Sequence, residues 1–556
     1  MNKKTLLFIS FISGIIMVFA WLKTMMFGFI MLFALVPLLF MEDVIALRRI
    51  KGDKIMANAA FCYSYPAFFL WTLFNTLWIT RASAVGYIVP VAEAAFMAII
   101  FQLYSYSKKI AGNKLGTYFF LIFYWLGFEY IQFNWDVNFP WLNLGNSFAD
   151  CPVLVQWYSV LGMEGGSLWV LLTNILIYLA IKDKLIKKFF PQLDPYKITD
   201  TSFSKGFLGK YTYKFFAAFI IIVPIFWSII LWFSYKDDAK QNVNVAVIQP
   251  NLNPYLEQYV LSPNEVMQRV ENLAKKQMDT NVDYMLLPES CIQEYAWEDQ
   301  LNYVPSIINL KYFLKAYPKC KIIAGMSSKR LLPEGVKTEA ARKFEDKNLY
   351  YESCNIALQI NNDLNQKDIP IHHKSVLTVG VEKMPFKKYL SFVEKLALNL
   401  GGTVGTLGVD TSVVVFDNEG IKIGVPICYE GIDGNYVRKF IQKGAQSIFI
   451  ITNVGWWGDT PGYRQYFQIS RLRAIENRRY TVTCANTGIS GLVNARGEIL
   501  EKSKYWVQDA LKYSVPLNNK VSFFSLNGDI IMRPMLFFAI MLLIYSIVKN
   551  IISKKK

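Results

Sequence analysis

Read for hydrophobic and polar positions alone, the chain falls into three parts. Up to about residue 235 long apolar runs alternate with short polar stretches, and one more such run lies near the C-terminus. The runs cover residues 5–21, 26–41, 56–80, 84–104, 117–133, 161–181, 215–233 and 535–548. Each comes near the ~20 residues an α-helix needs to cross a bilayer. A polytopic α-helical membrane protein with eight transmembrane helices is therefore expected, seven within residues 1–235 and the eighth within 533–550. The first run follows a basic N-terminus as a signal peptide would. It lacks a small-x-small cleavage site and a second apolar run follows at once, so it is read as a helix.

Between these parts, residues 240–520 change period. Short β-rich runs at 243–248, 284–287, 321–325, 355–360, 412–416, 421–427, 447–452, 481–485 and 491–494 alternate with helical stretches at 264–278, 304–317, 436–443 and 463–478. Strands alternating with helices indicate a layered α/β domain. One further stretch, 386–400, spaces Phe386, Tyr389, Leu390, Val393, Leu396, Ala397 and Leu400 as an amphipathic helix. Two readings of it stand: a helix packed on the domain core, or an arm dipping into lipid headgroups.

Composition agrees with a membrane protein. Of 556 residues, 53% are hydrophobic, and the mean hydropathy is +0.25. The net charge of +17 could suggest nucleic acid, but the Lys and Arg residues gather in short loops between apolar runs. Arg48, Arg49, Lys51 and Lys54 form one group, Lys108, Lys109 and Lys114 another, and Lys182 to Lys214 a third. With the N-terminus and the Lys554–Lys556 tail they fall on one side of an even number of crossings, which the positive-inside rule makes the cytoplasm. Residues 240–520 then face the opposite side, the periplasm of a double-membrane bacterium, and no nucleic-acid partner is expected. Seven scattered Cys with no C-x-x-C pair make no disulfide framework. Two His, adjacent at His372 and His373, argue against a His-based zinc site, so neither metal nor cofactor is expected.

The chemistry gathers at strand ends. Gly424-Val425-Pro426-Ile427-Cys428-Tyr429-Glu430 is a buried strand that stops at a thiol, an aromatic and an acid. A thiol held there is either a nucleophile facing a cleft or a small apolar filler. Tyr284-Met285-Leu286-Leu287-Pro288-Glu289 is a second strand ending in a carboxylate, and His372-His373-Lys374 is followed eight positions after the Lys by Glu382. A thiol needs an activator near neutral pH, and Glu289 is the natural general base. Lys374 is either a solvated loop residue or an ammonium that stabilises an oxyanion. Downstream, Asn453, Trp456 and Trp457 stand in a Gly-flanked loop. The two Trp either pack the core, wall an apolar channel or rest at a bilayer interface. The 463–478 helix is assigned to structure, with Arg471 and Arg473 open to phosphate or carboxylate contacts.

Strand-end Glu289, then Lys374, then strand-end Cys428 resembles the Glu-Lys-Cys triad of the nitrilase (carbon-nitrogen hydrolase) superfamily. Phe139-Pro140-Trp141-Leu142, Gly145, Gly162 and Glu164 in the helical part, with Cys428-Tyr429-Glu430 and Asn453…Trp456…Asp459, resemble its apolipoprotein N-acyltransferase family over essentially the whole chain. Two features depart from it. His372-His373 stands before Lys374 where an aromatic is usual two places earlier, and Val379-Gly380-Val381-Glu382 replaces Pro-Phe-Gly-Glu.

The resemblance implies an αββα sandwich domain inserted between the seventh and eighth helices. It also implies ping-pong acyl transfer from a phospholipid, through a Cys428 thioester, to the α-amino group of a diacylglyceryl-Cys lipoprotein. Tyr429 would supply an oxyanion N–H, Glu382 would orient Lys374, Glu430 would shape the oxyanion site, and Asn453, Trp456 and Trp457 would meet substrate. A monomer in a bacterial inner membrane is expected. A membrane-tethered amidase acting on a small periplasmic substrate is the alternative.

Overall fold

The computed structural model describes residues 3–21, 27–82, 84–193, 207–237, 239–366, 368–384 and 406–555. The 386–400 stretch lies outside them. The chain forms two compact units: Met1–Ile79, Gly86–Ser234 and Asp529–Lys556 in one, Thr80–Val85 and Tyr235–Gly528 in the other.

Among its described residues the regular structure of the first unit is helical. It contains α1 (Lys3–Ala20), α2 (Met31–Ala34), α3 (Val36–Lys51), α4 (Ala59–Thr76), α5 (Val89–Ile110), α6 (Phe120–Asn134), α7 (Tyr158–Phe189) and α8 (Phe207–Ser234), and the chain's last helix, Met532–Lys555, returns to it. Six segments among the described residues are long and apolar enough to cross a membrane: Lys3–Ala20, Phe27–Lys51, Val89–Ile110, Tyr158–Phe189, Thr212–Ser234 and Met532–Lys555. α8 and the last helix turn large apolar side chains outward, Phe215, Phe219, Ile222 and Phe226 on one, Phe537, Ile540, Met541 and Ile544 on the other. Such a surface suits hydrocarbon, where helices satisfy their own backbone.

Several helices differ from the expected runs. α3 carries Arg48, Arg49 and Lys51 in its last turn, where cations complement the helix dipole; hydropathy alone assigned them to a loop. The connection after α6 is three 3₁₀ turns, Pro140–Leu142, Leu144–Phe148 and Pro152–Leu154, braced by Glu129, whose Oε1 accepts from Leu144 N at 2.8 Å. α7 bends at Gly162, φ 65°.

One buried ionic cluster joins the helices of this unit. Lys108 of α5 donates to both Glu42 and Asp43 of α3. Tyr118 and Tyr178 donate to Asp43 at 2.6 and 2.5 Å, and Ser105 donates to Glu42 at 3.0 Å. Ions in an apolar interior persist only when paired and hydrogen-bonded.

The second unit is a four-layer sandwich. It comprises β1 (Gln241–Gln249), α9 (Pro263–Ala274), β2 (Tyr284–Leu286), β3 (Ile292–Trp297), α10 (Pro305–Phe313), β4 (Lys321–Leu331), β5 (Arg342–Lys343), β6 (Tyr350–Ile360), β7 (Ile371–His373), β8 (Val415–Asn418), β9 (Ile421–Gly424), α11 (Gly434–Gln442), β10 (Ser447–Thr452), α12 (Pro461–Asn477), β11 (Thr481–Ala485), β12 (Gly491–Val493), β13 (Ile499–Lys502) and β14 (Asp509–Leu517). One sheet runs β14-β1-β2-β4-β6-β5, with β3 beside β4 and β7 beside β6; the other runs β13-β12-β11-β10-β9-β8.

Alternation builds the layers, since successive strand residues face opposite sides. Val243, Val245 and Val247 of β1 meet Ile423, Phe449, Ile451 and Val482 of the other sheet. Ala246 and Ile248 turn the other way, onto Val266 and Val270 of α9 and, with Ile322 and Ile356, Ile307 and Leu310 of α10. α11 closes the far side, pressing so near that a Cβ on Gly424 would lie 2.7 Å from Phe440 Cβ. β1, β2 and β4 run parallel, as do β9, β10 and β11. Their C-terminal ends therefore lie at a common edge of each sheet, where open α/β sheets place their chemistry.

Replacing Lys108 by Met leaves two buried carboxylates without their cation. The expected cost is about 3–5 kcal/mol, read as a lowered unfolding midpoint of the detergent-solubilised protein. An unchanged midpoint would mean the cluster contributes nothing to stability.

Candidate active site

Three strand ends deliver the candidate residues. β2 runs through Leu287 and Pro288 to Glu289, β7 ends directly before Lys374, and the chain after β9 reaches Cys428, with Ile427 still bridged to Ile451 of β10. Two sharp turns aim the side chains. Ser290, just after Glu289, has φ 55°, and Cys428 itself has φ 48°, a left-handed conformation that non-glycine residues hold only at a cost. Gly325 of β4 makes room for the first turn: a Cβ there would sit 2.6 Å from Glu289 Cα.

The structure brings Glu289, Lys374 and Glu382 together. Lys374 Nζ lies 3.0 Å from Glu289 Oε1 and 2.8 Å from Glu382 Oε1. Asn355 Nδ2 donates to the same two oxygens at 2.8 and 3.1 Å. The second oxygen of Glu289 accepts from Asn453 N at 3.0 Å, and that of Glu382 from Thr378 N at 2.9 Å. All three side chains are buried, where a charge stands only when paired. Burial pulls the Lys374 ammonium down, but Glu289 and then Glu382 outweigh it and raise its pKa well above the ordinary lysine value. Burial pushes the Glu382 carboxyl up; Lys374 and the Thr378 N–H overcome that and hold it below the ordinary value.

Cys428 is buried, and both Glu289 and Lys374 act on it electrostatically. Burial, reinforced by the Glu289 charge, pushes its thiol up to about 12, against the pull of Lys374. The resting sulfur is thus a thiol, and its attack needs a base. Tyr429 is buried in the 3₁₀ turn Cys428–Ile432. The Cys428 carbonyl accepts from Tyr466 OH at 2.8 Å, fixing that turn to α12.

Glu430, two residues after Cys428, is fully buried. One oxygen accepts from Ser375 N at 2.6 Å and Val376 N at 3.4 Å; the other accepts from Ile427 N at 2.8 Å and faces His372 Nε2 at 3.2 Å. It binds the segment after Lys374 to the strand end before Cys428, so its contacts act through the backbone rather than on the thiol. His372 Nδ1 faces Val414 N at 3.4 Å, which makes Nε2 the protonated nitrogen.

The Trp residues stand on the turn Gly455–Trp457, half-buried. Trp456 meets Tyr255 edge-on at 5.6 Å, and Tyr255 OH donates to its carbonyl at 2.6 Å. Trp457 lies edge-on to Tyr466 at 5.9 Å, one residue removed from the Cys428 carbonyl. The Asn453 side chain is engaged with Gln258 at 2.8 Å and Asn486 at 3.3 Å; its main chain, rather than its side chain, touches Glu289. Arg471 and Arg473 are tied internally, to Gly497 O at 2.6 Å and to Ile432 O at 2.7 Å. Both are buried, so these contacts are structural.

Sequence reasoning missed Asn355, which joins both carboxylates. Its signal was an amide at the head of the apolar run Ile356-Ala357-Leu358, where a buried polar group must have partners. It also missed Tyr466, and the ion pairs of His373, whose Nε2 lies 2.9 Å from Glu298 and whose Nδ1 lies 2.8 Å from Asp410.

Glu430→Gln would turn an amide NH₂ toward main-chain donors and is expected to cost about 1–3 kcal/mol. The readout is a lower unfolding midpoint together with loss of activity; an unshifted midpoint would show that Glu430 does not hold the two segments together. With the Cys428 thiol near 12, its alkylation by iodoacetamide without substrate should rise about tenfold per pH unit from neutrality upward. A plateau already at neutral pH would contradict a protonated thiol.

Comparison with known proteins follows the same division of the chain. Residues 244–519 match the carbon-nitrogen hydrolase model, and residues 13–176 match the apolipoprotein N-acyltransferase N-terminal domain model. The chain is 25% identical over 475 residues to the apolipoprotein N-acyltransferase of Chlorobaculum tepidum, covering 84% of each chain. It is 28% identical over 422 residues to that of Rickettsia typhi, covering 74% of this chain and 72% of the relative. A solved amidase from Nesterenkonia sp. is similar at 14% identity with a TM-score of 0.34, over 51% of this chain and 95% of that one. An N-acyltransferase N-terminal domain followed by a carbon-nitrogen hydrolase domain, in one chain aligned over most of its length with such enzymes, makes this protein a member of the apolipoprotein N-acyltransferase family of the nitrilase superfamily.

Proposed function

We propose that the protein completes bacterial lipoproteins. It takes an acyl chain from a phospholipid onto Cys428 and passes it to the N-terminal amine of a diacylglyceryl-Cys lipoprotein. The observation that carries this reading is the buried Glu289–Lys374–Glu382 arrangement acting on the Cys428 thiol, in a chain whose helical part matches the N-terminal domain of such acyltransferases.

Each residue has a part. The Cys428 sulfur attacks the ester carbonyl while Glu289 takes the thiol proton; the C–O bond breaks, and Glu289 returns the proton to the departing lysophospholipid oxygen. The lipoprotein amine then attacks the thioester, Glu289 takes its proton and returns it to the Cys428 sulfur, and the amide leaves. Lys374 and the Tyr429 N–H face the oxyanion formed in each step. Glu382 matters when Glu289 becomes protonated. It remains as the counter-charge that keeps Lys374 in place, while the neutral acid releases the ammonium toward the oxyanion. Glu430 supports both segments from beneath, and Trp456, Trp457 and Asn453 border the substrate.

The helices of the first unit are assigned as transmembrane: α1, α2 with α3, α4, α5, α6, α7 and α8 as seven spans, and Met532–Lys555 as the eighth. α4 and α6 are the two spans beyond the six that are long and apolar enough by themselves. The basic ends of α3 and α5 support a cytoplasmic face, so that residues 240–520 work in the periplasm at the inner membrane, with the protein as a monomer. Holding two lipid-anchored substrates in one membrane raises their effective concentration. A membrane-tethered amidase could use the same trio; the match of residues 13–176 supports acyl transfer over it.

The test is the intact mass of the purified protein with phospholipid, wild type beside Cys428→Ala. One acyl mass on the wild type alone, discharged by a diacylated lipopeptide, is expected. Glu289→Gln should slow the adduct about 10²–10⁴-fold. A folded wild type that never acquires an acyl mass would refute the phospholipid-donor step.

A further inference from the structure

The two histidines before Lys374 do different work. β7 pairs antiparallel with β6, placing His373 opposite Ile356 and His372 opposite Ala357, so alternation sends the rings to opposite faces. His372 contacts Glu430 and Val414 N. His373 faces a carboxylate with each nitrogen, Glu298 Oε1 at 2.9 Å and Asp410 Oδ2 at 2.8 Å. An imidazole can satisfy two carboxylates at once only with both nitrogens protonated.

The carboxylates are themselves anchored. Glu298 accepts from Ser328 Oγ at 2.8 Å. Asp410 pairs with Arg330 at 2.5 Å, and Arg330 pairs with Glu352 at 2.7 Å. The segment leading to Asp410 is fastened as well: Leu407 N donates to the Glu382 carbonyl at 3.0 Å and Gly408 N to the Ser353 carbonyl at 2.8 Å. The clamp therefore joins three pieces of chain that each reach the buried trio. Glu298 lies nine residues after Glu289, His373 immediately precedes Lys374, and the segment before Asp410 bonds to the backbone of Glu382.

We propose that His373 is a positioning residue for acyl transfer: as a doubly protonated clamp between Glu298 and Asp410, it fixes the strand end that carries Lys374, and losing that proton slows acylation of Cys428. The inference rests on the acyl-transfer reading above. The charged and titratable groups around the ring are Glu298 and Asp410 on its nitrogens, the Cys354 thiol beside it, and Arg330 and Glu352 behind Asp410. Glu298, Cys354 and His373 also bring three metal-ligating atoms within 4.8 Å. Arg330 places a fixed cation close enough to act on the Cys354 sulfur, which disfavours a second cation there, and both ring nitrogens already meet carboxylates, so the ring is taken as a protonated imidazole.

The titration follows from the contacts. Burial pulls His373 down, but Asp410 and Glu298 raise it from the ordinary 6.5 to about 9. Asp410 is held below the ordinary value first by its bond from His373. A group raised in the folded state stabilises fully below its ordinary value and loses that effect as pH rises through the folded value, so the clamp is closed at neutral pH and opens near 9. Lys374 lies well above its ordinary value and the Cys428 thiol near 12, so neither produces a fall in rate there.

The experiment follows the initial rate of acyl-Cys428 formation by intact mass with phosphatidylglycerol, whose headgroup has no amine, and without acceptor. The full-length wild type should fall roughly tenfold as pH rises through about 9 and then level off at the rate of a protein without the clamp. His373→Gln should be slowed roughly tenfold at neutral pH and show no such limb. His373→Arg, a cation that does not titrate, should keep the rate and also lack the limb. A wild-type rate that is flat through this range overturns the inference even if neither variant folds, as does an unaltered limb in both variants. A wild type that forms no adduct at any pH removes the donor step itself, an outcome distinct from a flat profile.

Discussion

The structure of the catalytic unit depends on one buried ammonium shared by two buried carboxylates. Lys374 between Glu289 and Glu382 makes a buried trio with one more carboxylate than ammonium. Such a group is tolerable only if every remaining lone pair is occupied. That requirement explains the surroundings: Asn355 bridges both acids, Asn453 N and Thr378 N fill the outer oxygens, and Gly325 leaves Glu289 space to turn inward. The acids and the lysine come from distant points in the sequence, so the sandwich fold is what brings them within hydrogen-bond reach.

The same economy appears one layer out. Glu430 spends all its capacity on backbone and on His372, and His373 on the opposite face is held by two acids. Lys374 is thus framed from both faces of its strand by hydrogen bonds that do not touch substrate. Positional error at the reacting atoms is costly, and rigid backbone between strongly bonded anchors is a direct way to limit it.

Much of this was readable in the sequence. Strands that read as continuous runs, such as Ser447–Thr452 and Thr481–Ala485, have the expected limits, because both faces are buried and the run has no other fate. Glu289 and Cys428 stood out because a polar group at the end of such a run is anomalous, whereas Lys374, which follows two histidines, was legible only through the resemblance to a Glu-Lys-Cys order. The strand Ile292–Trp297, with Gln293 and Glu294 in it, was not readable, because its pairing with β4 is set by tertiary contact rather than by period. β7 was hidden for a similar reason: three residues, two of them histidine, carry no β pattern. The partners of Glu430 were also beyond reach. Only the fold shows that an acid two places after Cys428 binds the segment after a lysine more than fifty positions earlier.

The high pKa of the Cys428 thiol bears on selectivity. A thiolate exposed in a cleft would react with oxidants and stray electrophiles whatever the substrate. In the proposed reaction, a thiol held protonated by burial and by the Glu289 charge stays quiet until a carbonyl is placed against it, because the proton has to pass to Glu289 as the C–S bond forms. Once Glu289 has accepted that proton, the charge that suppressed the sulfur is gone and Lys374 can turn to the oxyanion. On that proposal the element that keeps the resting thiol quiet is also the one that acts as base. The environment that raises the thiol's pKa, burial away from water, is also what a thioester intermediate needs if it is to wait for an amine rather than be hydrolysed.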